Sequence, residues 1–298
     1  MKISAIINVV EEELGMLPSA LESAGELPDE IVVIDMSVSG VPRELVKKYN
    51  LKVYKHKRVH YVELIRNFGI SKAEGDWILI LDPDEEVSPK LSTKLRAIVS
   101  QGKYDYLAVP RKNIIFGKWM RHSRWWPDYN IRFFRKEKVV WNNGIHSPPL
   151  TSGAGMDIPP RGLLAIKHNH YASVEQFIER MNRYTSAQAD EKIKSGYKFR
   201  WQDAVNRPTQ EFLSRYFSGE GYRDGFHGLA LSFLQAASEL VLYLKVWQSA
   251  GFPEKKIKVS RVIKEKRKLR CEENYWFADA LIKTGAGTFQ RIRRKFKF

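Results

Sequence analysis

The stretch Trp77-Ile78-Leu79-Ile80-Leu81-Asp82-Pro83-Asp84-Glu85-Glu86 constrains the fold more than any other part of the chain. Five apolar residues give way at once to a cluster of carboxylates. A short aliphatic run bounded in this way reads as a buried strand. Asp82 and Asp84 are two residues apart, so on extended backbone they point to the same side. Pro83 fixes its own φ and pushes Asp82 towards extended geometry. Two carboxylates on one face repel each other. A hard divalent cation that favours oxygen ligands, Mg²⁺ or Mn²⁺, would relieve that repulsion. An acidic turn capping a helix that starts near Ser88-Pro89 explains the same residues, because Asp-Pro-Asp is also good turn chemistry.

Upstream, apolar runs at residues 3–10, 30–35 and 51–55 read as strands. Residues 11–24, 42–49 and 61–73 read as helices between them, with Gly75 placed to stop the third. Strands alternating with helices imply an α/β fold, a mostly parallel sheet covered on both faces. Ligands of such sheets bind beyond the carboxyl ends of the strands. Asp35 ends the second strand as Asp82 ends the fourth, so both belong to one crevice. No Gly-x-Gly-x-x-Gly follows the first strand and no phosphate-loop Gly-Lys-Ser/Thr occurs, which weakens ordinary dinucleotide and P-loop readings. A nucleotide diphosphate would instead be neutralised by a metal on Asp84 and by Arg66 on the preceding helix.

After a helix at residues 88–100 the pattern changes. Residues 106–110, 131–135 and 163–171 read as strands, the last carrying His168 and His170. The basic, aromatic segment 116–128 and the loop 141–149 lie between them. This mixed region is expected to complete the sheet and wall the acceptor side of the crevice. From residue 174 the chain reads as helical, at 174–195, 208–218 and 226–247. Glu239 near the middle of the last and most apolar helix argues against a membrane span. The expected division is a catalytic domain over residues 1–205 and a helical, basic region over 206–298. Formal net charge is +16, which suits nucleic acid, an anionic lipid surface or a phosphorylated substrate. Basic runs at residues 255–270 and 291–297 favour peripheral attachment to an anionic membrane surface. The single cysteine, Cys271, excludes an internal disulfide framework and a Cys-cluster zinc site. Glu11-Glu12-Glu13 interrupts the N-terminal apolar run too soon for a signal peptide, so the expected location is cytoplasmic, at the membrane periphery.

Taken together, these features resemble the family 2 glycosyltransferases with a GT-A fold, and among them the bacterial lipopolysaccharide-core enzymes of the WaaE/KdtX type. Residues 66–85 match the family's "RN.G...A.GDWIL.LD.DE". Trp126-Pro127-Asp128 with Ile131-Arg132-Phe133-Phe134-Arg135-Lys136 is similar to its "W.PD..IRLFRK". Gly144-Ile145-His146 resembles "G.VHE", and Ile166-Lys167-His168 a later "I.H". The segment from Phe212 to Leu229 is similar to "F...Y....G..DG..G". The likeness covers most of the chain to about Trp247. Two departures stand out. The usual "VDSGSTDGT" is Ile34-Asp35-Met36-Ser37-Val38-Ser39-Gly40, which carries over only Asp35, and Ser147 replaces the acid after the histidine.

The resemblance implies a metal-dependent, inverting transfer of a sugar from a nucleotide-diphosphate donor to a glycan or lipid acceptor, as in cell-surface polysaccharide or lipopolysaccharide synthesis. It implies that Asp82 reaches the ribose or the metal, that Asp84 holds the metal, and that Asp35 and Arg66 contact the donor. An inverting transfer needs a base for the acceptor's proton. Asp128 is the first choice and His146 the second. His168 is a candidate metal ligand or phosphate contact, and Trp126 and Arg132 are candidates for the acceptor. A metal-dependent nucleotidyltransferase or phosphohydrolase could use the same Asp pair. A basic nucleic-acid binder fits the charge, but no RNA or DNA motif occurs and nucleic acid is not expected as a partner.

Overall fold

The computed structural model describes residues 1–59, 61–142, 148–285, 290 and 294. The chain forms two compact units, residues 1–114 with 127–170 and residues 115–126 with 171–298. The division expected from the sequence lay at residue 205.

The first unit contains β1 (Ile3–Val9), α1 (Leu17–Ala24), β2 (Glu30–Asp35), α2 (Arg43–Lys48), β3 (Lys52–Lys55), α3 (Glu63–Lys72) and β4 (Trp77–Ile80). β5 (Glu85–Glu86), α4 (Pro89–Gln101) and β6 (Tyr106–Ile115) follow. β7 (Lys118–Trp119) falls in the second unit. β8 (Asp128–Arg135), β9 (Val139–Val140), β10 (Leu150–Thr151), β11 (Gly155–Asp157) and β12 (Ile166–Tyr171) complete the strands. The main sheet runs in the order β3-β2-β1-β4-β8-β6-β12-β5. β1 lies parallel to β2 and to β4, and β2 parallel to β3. β8 then enters antiparallel to both β4 and β6. The expected α/β architecture is therefore present, with an antiparallel portion built by the mixed region.

The continuous apolar reading of β1 has a packing cause. Ala5 and Ile7 face a core with Leu17 and Leu21 of α1 and Leu91 and Leu95 of α4. Ile6 faces the opposite core, with Ile65 and Ile70 of α3. A strand covered on both faces has no polar side to alternate with. Gly69 lets α3 lie this close to the sheet, because a Cβ there would stand 2.7 Å from Ile6 Cγ2.

The second unit contains α5 (Val174–Lys194), α6 (Trp201–Phe212), α7 (Phe226–Ser249) and α8 (Val259–Lys283). α7 packs on α5 and α6, and α6 packs on α8. α5 was expected in the catalytic part, but its Ala189 is buried with Leu242 and Val246 of α7. Residues 115–126 join the helices because Ile115, Met120 and Trp125 are buried with Tyr171, Phe177 and Leu231. α6 begins well before residue 208. Pro208 sits inside it rather than in a first turn, and the helix loosens into a π-type stretch at Leu213–Ser218. The expected helix at residues 11–24 is split into a 3₁₀ turn, Glu11–Glu13, and α1, with a proline in the first turn of α1.

Candidate active site

The carboxyl end of β4 carries Asp82 into a buried ionic network of the first unit. Arg132 of β8 donates from Nη2 to Asp82 Oδ2 at 2.7 Å and to Glu85 Oε1 at 2.6 Å. Arg66 of α3 donates to Asp82 Oδ1 at 3.2 Å. Glu85 is completely buried, accepts the Asp82 backbone N–H at 3.0 Å, and lies 3.6 Å from Arg111 Nη1. Arg111 of β6 donates from Nε at 2.9 Å to Asp128 Oδ2, and its Nη2 lies 2.7 Å from the same oxygen. That last pairing follows from register, because β6 and β8 place Arg111 opposite Asp128. Charges thus alternate along Arg66, Asp82, Arg132, Glu85, Arg111 and Asp128.

Burial alone would raise the pKa of Asp82, but the guanidiniums of Arg132 and Arg66 outweigh it and hold the carboxyl far below the ordinary range. Burial likewise disfavours the cation on Arg132, and Asp82 and Glu85 more than restore it. At Arg66 burial prevails and lowers the pKa despite Asp82.

Asp84 is buried on the other side of Pro83, with His168 Nε2 3.5 Å from its Oδ2. β12 pairs antiparallel with β5, setting His168 opposite Glu85 and bringing the imidazole to this position. His168 Nδ1 lies 2.6 Å from Asn113 Oδ1, and Asn113 Nδ2 donates at 3.1 Å to Asp128 Oδ2. That amide orientation makes Nδ1 the donor, so a neutral His168 turns the Nε2 lone pair towards the Asp84 carboxylate. A metal cation between them would meet both. Among the described residues, no three His, Cys, Asp or Glu side chains gather as a metal cage. One carboxylate with one imidazole still fits a divalent ion that takes further oxygens from a diphosphate, since Mg²⁺ is commonly held by one or two carboxylates plus substrate phosphates.

Other expected site residues have different surroundings. Asp35 Oδ1 accepts from the Ser37 N–H at 2.9 Å, and Oδ2 accepts from the Val41 N–H at 3.1 Å and lies 2.8 Å from Lys55 Nζ. Burial pushes its pKa up, but Lys55 and Ser37 bring it below the ordinary value. Asp35 therefore organises the loop at residues 37–41. Asp128 was expected to be a base. Burial raises its pKa, yet Arg111 and Asn113 pull it below the usual carboxylate value, and Asn130 Nδ2 donates to its other oxygen at 3.1 Å. Asp128 thereby anchors Arg111 and Asn113. Arg132, expected at the acceptor, is a buried partner of Asp82 and Glu85. Trp126 belongs to the second unit, edge-on to Trp119 at 5.1 Å. His146 lies outside the described residues.

The glycosyl transferase family 2 profile matches residues 4–154, half of the chain, including the whole of β4 and its carboxylates. The chain belongs to glycosyl transferase family 2. An uncharacterized glycosyltransferase of Rickettsia typhi is 27% identical over 254 residues, covering 82% of this chain and 86% of the relative. One from Rickettsia felis is 26% identical over 257 residues, covering 83% and 90%. Staphylococcus aureus TarS 1-349 in complex with UDP superposes with a TM-score of 0.46 at 14% identity, over 87% of this chain and 94% of that one. In this family 2 glycosyltransferase the profile spans the strands β2, β3, β4, β6 and β8 of the main sheet.

Glu85, Arg111 and Asn113 were missed from sequence as partners in the site. Glu85 was legible only as one more acid in a turn. Arg111 and Asn113 lie two apart on β6, so extended backbone puts them on one side, where Asp128 and His168 meet them. The glycines and Asp224 of residues 219–228 also gain a reason. Asp224 Oδ2 accepts the N–H groups of Arg121 and His122 at 3.1 and 2.8 Å, and its Oδ1 lies 3.1 Å from His122 Nδ1. A Cβ on Gly221 would clash with Ser123 Oγ and stand 2.9 Å from the Arg215 carbonyl oxygen. This glycine-rich turn grips residues 121–123 within the second unit.

Proposed function

We propose that this family 2 enzyme transfers a sugar, with inversion, from a nucleotide-diphosphate donor to a glycan or lipid acceptor in the synthesis of a cell-surface polysaccharide or lipopolysaccharide. The observation that carries this reading is the family match across β4, combined with Asp82 and Asp84 at its carboxyl end. Asp82 and Arg66 meet the donor, Asp35 shapes the loop that borders the nucleoside, and Asp84 with His168 holds a divalent cation. When bound, the cation would act as a Lewis acid towards the departing nucleoside diphosphate. Arg66 and Arg132 supply fixed positive charge around Asp82 and cost no reorganisation during transfer.

The enzyme works at the cytoplasmic face of a membrane, attached peripherally. α7 is long and apolar enough to cross a membrane by length and composition. It also packs against α5 and α6 and carries Glu239, whose pKa burial raises with help from Glu211. These contacts support a helix lying with its neighbours rather than a span.

Asp84→Asn tests the assignment. The change removes a charge and keeps the shape. It should abolish transfer and weaken Mn²⁺ binding by calorimetry, while the circular dichroism spectrum stays the same. Near-normal turnover in excess EDTA would refute the metal, and release of pyrophosphate instead of nucleoside diphosphate would refute the transfer of a sugar.

A further inference from the structure

The segment leading into α8 combines two properties that soluble surfaces usually keep apart. Phe252, Ile257, Val259 and Ile263 are exposed large apolar side chains, Val259 at 73% and Phe252 at 55%. Lys255, Lys256, Lys258 and Arg261 alternate with them and are exposed too. No ion pair joins Lys256, Lys258 or Arg261 to a carboxylate among the described residues. A cleft of about 340 Å³ opens here, lined by Arg200 and Trp201 at the start of α6 and by Lys255, Lys256, Ile257 and Arg261. The first N–H groups of α8 lie in the same segment without a side-chain cap, and they add positive potential. Arg200 is also shared with Asp203 at 3.6 Å, and Lys255 Nζ donates to the Phe199 carbonyl at 3.3 Å. Lys256 and Arg261 are therefore the cations left to meet an outside anion.

A concave cluster of cations binds phosphate. Apolar side chains around its rim do not help a freely soluble phosphate, but they gain by entering the boundary between lipid headgroups and acyl chains. We propose that this cleft takes the phosphate of an anionic phospholipid, with Phe252, Ile257, Val259 and Ile263 inserted in the interface beside it. The proposal rests on the peripheral-membrane reading above and gives it a binding site. Arg261 offers the phosphate a planar fork of donors, and Lys256 supplies a compact charge. Trp201 suits the same boundary, where an apolar ring with one polar edge is favoured.

The test is co-flotation of the full chain with phosphatidylcholine vesicles, with and without phosphatidylglycerol. Lys256→Ala/Arg261→Ala should weaken partition onto the anionic vesicles about 30-fold, from roughly a factor of five for each cation at an anionic surface. Lys90→Ala/Lys103→Ala removes the same charge from exposed sites of the other unit. It should change partition far less, and donor hydrolysis should be equal in all three chains. If the unaltered chain ignores anionic vesicles, both the membrane reading and the cleft fail. If it binds and the two double variants weaken equally, the attraction is diffuse; the cleft assignment then fails while the membrane reading stands. If inorganic phosphate raises the melting temperature of the unaltered chain but not of the Lys256/Arg261 variant, and no vesicle binding occurs, the ligand is a soluble phosphate and the lipid assignment is overturned.

Discussion

Arg132→Met removes the guanidinium that bridges Asp82 Oδ2 and Glu85 Oε1 at 2.7 and 2.6 Å. Methionine fills much of the arginine stem's volume, so the change tests charge more than packing. Breaking a buried ion pair from one side costs about 3–5 kcal/mol, because the remaining charge stays buried without its partner. Asp82 keeps Arg66 at 3.2 Å and Glu85 keeps Arg111 at 3.6 Å, so the lower end, about 3 kcal/mol, is expected. A chain of two units need not unfold in one step, and a single melting curve would mix them. Native-state hydrogen exchange of the peptide spanning β4 reads the first unit alone. If opening follows the loss of stability, exchange there should accelerate roughly 150-fold. Arg132→Met/Glu85→Gln removes the stranded carboxylate as well. It should therefore be less destabilised than the sum of the two single changes. Acceleration below about fivefold, or additive single effects, would refute the view that these charges hold one another in place.

Glu30 gives a pH prediction. Burial raises its pKa, but Lys52, Ser4 and the Glu74 N–H bring it from an ordinary 4.5 down to about 2. A depressed folded pKa contributes stability that is present above about pH 4.5 and lost as pH falls towards 2, here about 3 kcal/mol. Glu30→Gln should lower the melting temperature near neutral pH and flatten its decline across that window. Parallel acid curves for the two chains would dispose of the idea. Asp128→Asn should lower kcat by less than about tenfold and leave the acid limb of the pH profile in place, since a true general base is worth about 10²–10⁴. A loss in that larger range at unchanged donor affinity would give Asp128 the role of base.

The first half of the fold was legible because β1, β2 and β4 are buried on both faces and their boundaries carry turn residues. Helices α2, α3 and α4 lie within a residue or two of their expected positions. The second half was less legible, for a physical reason. Residues 116–126 have no period because they belong to no long element. Two consecutive residues, Ser123 and Arg124, take positive φ of 57° and 66° without being glycine. What holds them lies some ninety residues away in sequence: the Gly219 carbonyl accepts the Ser123 N–H at 2.7 Å, the Arg215 carbonyl accepts the Ser123 hydroxyl at 3.1 Å, and Arg124 Nη2 donates to Ser214 Oγ at 2.9 Å. Pro208 misled in the same manner: proline normally opens a helix, and here tertiary packing keeps one through it.

The motif at residues 66–85 reads differently once its side chains are placed. Its spacing is largely construction. Asn67 donates to the Trp141 carbonyl at 2.8 Å and accepts its N–H at 3.0 Å. Gly69 admits α3 to the sheet, and Arg66, Asp82 and Glu85 share one ionic network. Asp82, Asp84, Glu85 and Asp128 set four carboxylates against the guanidiniums of Arg66, Arg111 and Arg132. The closest guanidinium contacts fall on Asp82, Glu85 and Asp128, while Asp84 faces the imidazole. On the proposed reading, a cation arriving with a diphosphate would meet Asp84 and His168, while Asp82 is held by Arg66 and Arg132. On that reading the paired carboxylates have different partners, and this is why Asp84, rather than Asp82, is the substitution that tests the metal.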